Sequence, residues 1–401
     1  MEPLGSGTSV AEGSPDLATD RRDSSRRRWL RRAVIGLATL LVIVLVATIG
    51  IGYYFSNVLL DVDNTVSYDE TVKSVAGDEV VLNASDATKT PAEVGLAWDG
   101  GRAILTSAVK VNGDSVVRTV RTVLRGKLTA GLSVDIDTRV YDGDPRSAHD
   151  LAFDNVTVTS ELGALPAWYV PPTTAKARST WVIAVHGYAA TRTETLRVLP
   201  IVAQAGLPAL AISYRNDPDA PAAPDGHYHL GDTEWRDVQS AIEYAQAHGA
   251  KAVVLYAWSM GGALSMTALR RMPAQDVALV KGIVMDSANF DWTAILEYQG
   301  SQRGLPGFVT WTAERIIEWR ASLSLDDLNQ VPYAPQLRVP MLIFVDHADK
   351  TVPNQPAIDF ARARPDLTTL VETDGGGHTG SWNANAEAYA KHVGEYLAQF
   401  S

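Results

Sequence analysis

The chain of 401 residues contains no cysteine. Disulfides, zinc–thiolate sites, iron–sulfur clusters and thiol nucleophiles are excluded, so the fold must be held by its apolar core. An excess of positive charge is also missing, since the net charge is −11. Seven of the 35 Lys and Arg residues and five of the 46 Asp and Glu residues lie in the first 55 positions, which leaves −13 on the remainder. A surface of that sign is a poor match for a phosphate backbone, and no nucleic-acid partner is expected. A metal pattern is lacking too. His227-Tyr228-His229 has alternate spacing, but no His, Cys or carboxylate cluster completes a zinc set, so a surface or pocket-rim loop is expected there. The reading calls for no cofactor and no metal.

Charge of either sign is absent from Ala33 to Leu60. Residues 33–55 are long enough for a helix to span a bilayer, which takes about 20 residues. Arg21, Arg22, Arg26, Arg27, Arg28, Arg31 and Arg32 precede this run. The positive-inside rule then puts the N-terminus in the cytoplasm and everything after residue 60 outside, with Trp29 and Tyr53-Tyr54 at the two interfaces. The alternative is a cleaved export signal, because Ser25-Arg26-Arg27-Arg28-Trp29-Leu30-Arg31 has a twin-arginine look. The apolar run exceeds a signal core and lacks an A-x-A site, which favours an uncleaved signal anchor and a lipid-bilayer partner through residues 33–55. Residues 1–32, basic and rich in small polar residues at their start, are expected to be a disordered cytoplasmic tail.

Residues 56–150 read as a β-rich extracytoplasmic module. Glu79–Leu82, Arg102–Leu105, Ser115–Val120 and Ser133–Asp137 are short β-prone runs divided by Asp-Gly, Asn-Gly and Gly-Gly turns. A spacer or a packing module, with a share in the substrate entrance as one option, fits this composition. From residue 151 to 401 the pattern changes to strands alternating with helices. Phe153–Thr159 and Ala164–Val170 form an opening hairpin, Thr180–Val185 and Ala209–Ser213 are apolar strands, and Asp232–Ala247 is an amphipathic helix. Alternation of this kind implies a mostly parallel sheet covered on both faces.

The chemistry-bearing residues sit after three such strands. Val253-Val254-Leu255 leads into Tyr256-Ala257-Trp258-Ser259-Met260-Gly261-Gly262, a tight strand-to-helix turn that lifts the Ser259 hydroxyl above the sheet. Ala257 stands where G-x-S-x-G has its first glycine. Val339–Val345 runs into Asp346-His347-Ala348-Asp349-Lys350-Thr351-Val352-Pro353, and Thr368–Glu372 into Asp374-Gly375-Gly376-Gly377-His378. Serine, then acid, then histidine is the order an α/β-hydrolase uses. A serine hydroxyl needs a neighbouring base, and the base needs a carboxylate to fix its tautomer.

Together with Val182-Ile183-Ala184-Val185-His186-Gly187-Tyr188, these motifs resemble the four signatures of the α/β-hydrolase superfamily, in its branch of bacterial membrane-anchored esterases, lipases and serine aminopeptidase-like hydrolases. The resemblance covers residues 151–401. It implies Ser259 as nucleophile, His378 as base, and Asp349 as acid, because Asp-x-x-Val-Pro is the form seen in that family. Asp346 and Asp286 stay open as rivals for the acid. The same resemblance implies that the backbone N–H groups of Tyr188 and Met260 form the oxyanion hole, their side chains mainly shaping the pocket. His347 is expected to be a solvated loop residue and His186 a structural one. Residues 287–335, with Trp292, Tyr298, Phe308, Trp311 and Trp319, lie where relatives insert a cap. The function expected is a membrane-anchored extracytoplasmic serine hydrolase acting on a small-molecule or lipid-like ester through an acyl-enzyme. A serine peptidase and a non-catalytic cell-surface binding module are the alternatives, and the oligomeric state is open.

Overall fold

The computed structural model describes residues 17–63, 65–173 and 178–400, with side chains from Arg26 onward. The chain opens with one uninterrupted helix, Leu17–Leu60. Residues 1–16 of the expected disordered tail lie outside the described residues. From Leu17 to Arg32 the expectation of disorder is corrected. Arginine is a good helix former, and each residue added to an existing helix gains a hydrogen bond without a new nucleation cost. The helix also runs past residue 55. Its apolar side chains are exposed from Trp29 to Val46, whereas Thr48, Gly52, Ser56 and Leu60 are buried against the rest of the protein.

Six strands follow: β1 (Glu70–Ala76), β2 (Glu79–Asn83), β3 (Val94–Trp98), β4 (Gly101–Asn112), β5 (Ser115–Arg125) and β6 (Ser133–Asp137). All pair antiparallel in the order β1-β2-β5-β4-β3-β6, and β6 returns to β1 to close a barrel. Closure removes the exposed edges a small sheet would otherwise present. Val72, Leu82, Val94, Leu96, Leu105 and Val134 fill its interior. Arg118 is fully buried at its wall, with its guanidinium donating to the carbonyls of Thr88, Ala92 and Thr106.

The second body is an eight-stranded sheet made of β7 (Asp154–Ser160), β8 (Gly163–Val170), β9 (Thr180–Val185), β10 (Ala209–Ile212), β11 (Ala252–Trp258), β12 (Val280–Asp286), β13 (Met341–Asp346) and β14 (Thr368–Thr373). The order is β14-β13-β12-β11-β9-β10-β8-β7. Only the β7–β8 hairpin and the β8–β10 pairing are antiparallel. Strands β9, β11, β12 and β13 carry almost no exposed residue, as required of parallel strands covered on both faces. One apolar cluster lies on each face. Two cap helices, Trp292–Gln302 and Gly307–Ala321, interrupt the path from β12 to β13, and the second packs along the end of the N-terminal helix.

Candidate active site

Ser259 stands between β11 and the helix Met260–Arg271, with φ of 47° and ψ of −120°. A non-glycine residue in this region is strained by about 1–3 kcal/mol, and the surroundings hold it there. The Ser259 carbonyl accepts from the amides of Gly262 and Asn289 at 2.9 and 3.0 Å, and the Ser259 N–H donates to the Asp286 backbone carbonyl at 3.1 Å. The two flanking positions of the turn differ in kind. A Cβ on Gly261 would run into the carbonyl oxygens of Val185 and His186. Ala257 is still part of β11, paired between Val185 and Met285, and its methyl group points into the apolar core. The departure from the first glycine of the motif is therefore accommodated, while Gly261 is sterically required.

His378 Nε2 lies 2.9 Å from Ser259 Oγ, and its Nδ1 lies 2.8 Å from Asp349 Oδ2. A carboxylate oxygen only accepts, so Nδ1 carries the proton and Nε2 is left to accept from the serine hydroxyl. Burial pulls the His378 pKa down, but the hydrogen bond and charge of Asp349 outweigh it and raise the pKa above the ordinary histidine value. The other oxygen of Asp349 accepts from the amides of Thr351 and Val352 at 2.8 and 2.9 Å, which fixes the carboxylate plane.

The rival acids have other partners. Asp346 accepts from the amides of Ala348, Gly376 and Gly377 and from the Thr373 hydroxyl, so it ties the histidine loop to the end of β13. Asp286 is fully buried, bonded to Ser381, and pushed up to about 6 by desolvation. His347 is half-exposed beside Glu372, as expected of a loop residue. His227 touches Asp61 at the end of the N-terminal helix, while Tyr228 and His229 are buried, so this segment is less a surface loop than a packing element. Among the described residues, no group of three or more His, Cys, Asp or Glu side chains could hold a metal ion.

The loop after β9 shows how the remaining site is built. His186 is fully buried and stacked on Tyr214, with Nδ1 2.9 Å from the Gly187 carbonyl and Nε2 2.8 Å from Asp217. Both ring nitrogens face acceptors, the arrangement an imidazolium satisfies. Burial lowers the His186 pKa, yet Asp217 and the Gly187 carbonyl carry it above the ordinary value. The Gly187 N–H donates to buried Glu194 at 2.7 Å. Glu194 also meets Arg197, whose guanidinium donates to the Thr379 carbonyl and to Asn383 at 2.7 Å each. This ion pair connects the His186 loop to the His378 loop. Sequence reading missed both residues, because nothing in the spacing of Glu194 and Arg197 distinguishes them from an ordinary i,i+3 surface pair.

Tyr188 and Met260 differ in their side chains. Tyr188 lines the pocket, packs on Tyr228 and donates its hydroxyl to the Val58 carbonyl at 3.1 Å. The Met260 side chain is instead core, which corrects the expectation that it shapes the pocket. Its amide is at the first position of a helix, where an N–H has no intrahelical acceptor.

Ser259 and His378 open into a cavity of about 960 Å³. Its walls come from four parts of the chain: the sheet loops, the cap, the barrel and the N-terminal helix. From the cap, Trp292 contributes to the wall, whereas Phe308, Trp311 and Trp319 point away from it and are exposed. The cap is fastened to the acid loop by Tyr298, which donates to the Asp349 carbonyl, and by Gln299, which donates to those of Lys350 and Thr351. Asn383 similarly fastens the barrel, donating to the carbonyls of Glu93 and Thr138.

A parallel-rich sheet with a serine at the β11 turn, a histidine after β14 and helices on both faces defines an α/β hydrolase. The model of the alpha/beta hydrolase family matches residues 182–392, and the chain belongs to that family. Residues 71–137 match a domain of unknown function (DUF8805), which coincides with the barrel. No curated protein matches the sequence. Among solved structures, an esterase of Pyrococcus furiosus superposes with a TM-score of 0.51 at 17% identity, over 65% of this chain and 95% of that one. An esterase of Pyrobaculum calidifontis gives 0.48 at 14% identity, over 64% and 88%. These likenesses are to the fold.

Proposed function

We propose that the protein is a serine hydrolase that cleaves carboxylic esters. The observation that carries this reading is the hydrogen-bonded series Ser259, His378, Asp349 at the wall of a large, mostly apolar cavity. In the reaction, Ser259 Oγ attacks the ester carbonyl as its proton passes to His378 Nε2. Asp349 keeps the Nδ1 proton and stabilises the imidazolium. The amides of Tyr188 and Met260 receive the negative charge that forms on the carbonyl oxygen. Collapse breaks the C–O bond, and the alcohol leaves with the proton from His378. Water, deprotonated by His378, then cleaves the acyl-serine and restores the enzyme.

The N-terminal helix serves in this reading as a membrane anchor. Its charge-free run of exposed apolar residues follows a cluster of arginines, which supports a cytoplasmic N-terminus and a catalytic domain on the opposite side. A fluorophosphonate probe tests the nucleophile whatever the natural substrate. The protein should label and the Ser259→Ala form should not; labelling of both would assign the activated serine elsewhere. Matched acyl esters and amides test the bond cleaved, and a preference for aminoacyl amides would replace the esterase reading by a peptidase one.

A further inference from the structure

The second cap helix carries two opposed faces. Val309, Ala313, Ile317 and Ala321 are buried against the first cap helix and the N-terminal helix. Phe308, Trp311, Arg315 and Trp319 recur at spacings of three, four and four, so they share the opposite face. The three aromatic side chains are exposed by 54, 59 and 74%. Outside the N-terminal helix, few large apolar side chains are this open, and a contiguous exposed patch of this kind marks an interaction surface.

The height of this face is set by the helix it packs on. A Cβ on Gly52 would meet Ile316 and Ala313, and Arg320 donates to Ser56, Asn57 and Asp61 while lying over the Tyr53 ring. Counting about 20 residues of membrane span from Ala33 ends the apolar crossing near Gly52. The aromatic face therefore continues the exposed apolar surface of the N-terminal helix at the level where that helix leaves the hydrocarbon. Tryptophan concentrates at this boundary, and Arg315, which lies over the Trp311 ring, has its charge balanced by Glu318 at 2.9 Å.

The same helices form one wall of the cavity. Phe55, Val58 and Leu59 of the N-terminal helix, with Ile295, Val309 and Ala313 of the cap, make a mostly apolar side that also carries Arg303, whose guanidinium lies over the Phe55 ring. Lys89, Asp135 and Arg139 of the barrel, with Lys350, put charged groups on the other side, beside Val94 and Ile136. The cavity is thus amphipathic, and its apolar wall is continuous with the surface facing the bilayer.

We infer that the second cap helix lies in the headgroup layer and that the substrate is a long-chain acyl ester of a polar alcohol, taken directly from the bilayer. The acyl chain occupies the wall shared by the N-terminal helix and the cap, and the polar alcohol faces the barrel. This deepens the ester-hydrolase reading and rests on it. It also gives the barrel a role, as the wall that receives the leaving group.

The test uses the full chain reconstituted in phosphatidylcholine–phosphatidylglycerol vesicles, with a fluorogenic palmitate ester dissolved in the bilayer and the corresponding acetate in water. Removing the aromatic face by F308S/W311S/W319S should cut turnover of the palmitate by about tenfold or more and change the acetate by less than about twofold. Equal palmitate turnover in the two proteins overturns the inference and leaves the hydrolase reading standing. Failure of the unmodified protein to cleave either ester, with no dependence on Ser259, removes the hydrolase reading and this inference with it. Lipids brominated near the headgroup read docking without turnover. They should quench tryptophan emission less once Trp311 and Trp319 are replaced, and unchanged quenching overturns the docking.

Discussion

The floor and the walls of the cavity are built by different means. The floor consists of short turns at the ends of β9, β11, β13 and β14, where each proposed reacting group is placed by the backbone conformation of its own turn and by hydrogen bonds between neighbouring turns, such as those of Asp346 with Gly376 and Gly377. The walls consist of the barrel, the cap and the last turns of the N-terminal helix, joined by contacts between segments more than 200 residues apart, such as Arg320 with Asn57. Floor geometry must be accurate to fractions of an ångström for proton transfer, whereas the walls only need shape and polarity. Substitutions in the two regions should therefore differ in kind, with kcat lost from the floor and substrate range lost from the walls.

The largest effect is expected at Ser259, the proposed nucleophile. Ser259→Ala should lower kcat by about 10⁵–10⁶ with little change in stability, as measured by ester turnover and thermal melting. The two neighbouring acids sharpen the comparison. Asp349→Asn should cost about 10⁴ in kcat by removing the tautomer control on His378. Asp346→Asn should mainly lower stability, because its carboxylate organises the loop amides of Gly376 and Gly377. Equal loss of kcat in both would reopen the choice of acid.

Gly261→Ala should destabilise the fold by about 1–3 kcal/mol, since its methyl group would press on the backbone of β9. Ala257→Gly should be mild in comparison, because nothing in the turn needs that Cβ removed. At the wall, Arg320→Ala should cost about 1–3 kcal/mol by leaving partners of a largely buried guanidinium unpaired. Its effect on short-ester kcat should be small, and a large one would mean that walls and floor are coupled.

The pH profile gives the smallest effect. His378 must be neutral to accept a proton, and its pKa is raised, so protonation begins above the ordinary histidine value of about 6.5. Turnover should fall as pH drops through that raised pKa. A rate that stays flat to about pH 4 would remove His378 as base. His347→Ala, beside Glu372 on the surface, should leave the profile unchanged.

Much of the floor was legible because its residues are constrained locally. The turn at Ser259, the position of Asp349 three residues beyond β13 and the glycine-rich approach to His378 each show in a few consecutive letters. Glu194 and Arg197 were not legible. Their pairing matters only because folding brings Gly187 and Thr379 to either side of them, and a sequence of i,i+3 charges carries no trace of that. The 17–32 stretch was misjudged for a related reason, since its composition reads as a polar tail while its conformation is imposed by the helix it adjoins.

By itself the sequence determined the alternation that makes a parallel sheet, the chemical identity of the groups above it, and the presence of a long charge-free helix. These follow from periodicity, steric need at a tight turn and transfer of apolar surface, all of which act over short stretches of chain. Closure of the barrel, the placement of Asp349 rather than Asp346 beside His378, and the sharing of the cavity between the cap and Phe55 to Leu59 were decided only by tertiary structure. Each depends on which hydrogen-bond donors and apolar faces meet across long separations, and that is fixed when the whole chain packs.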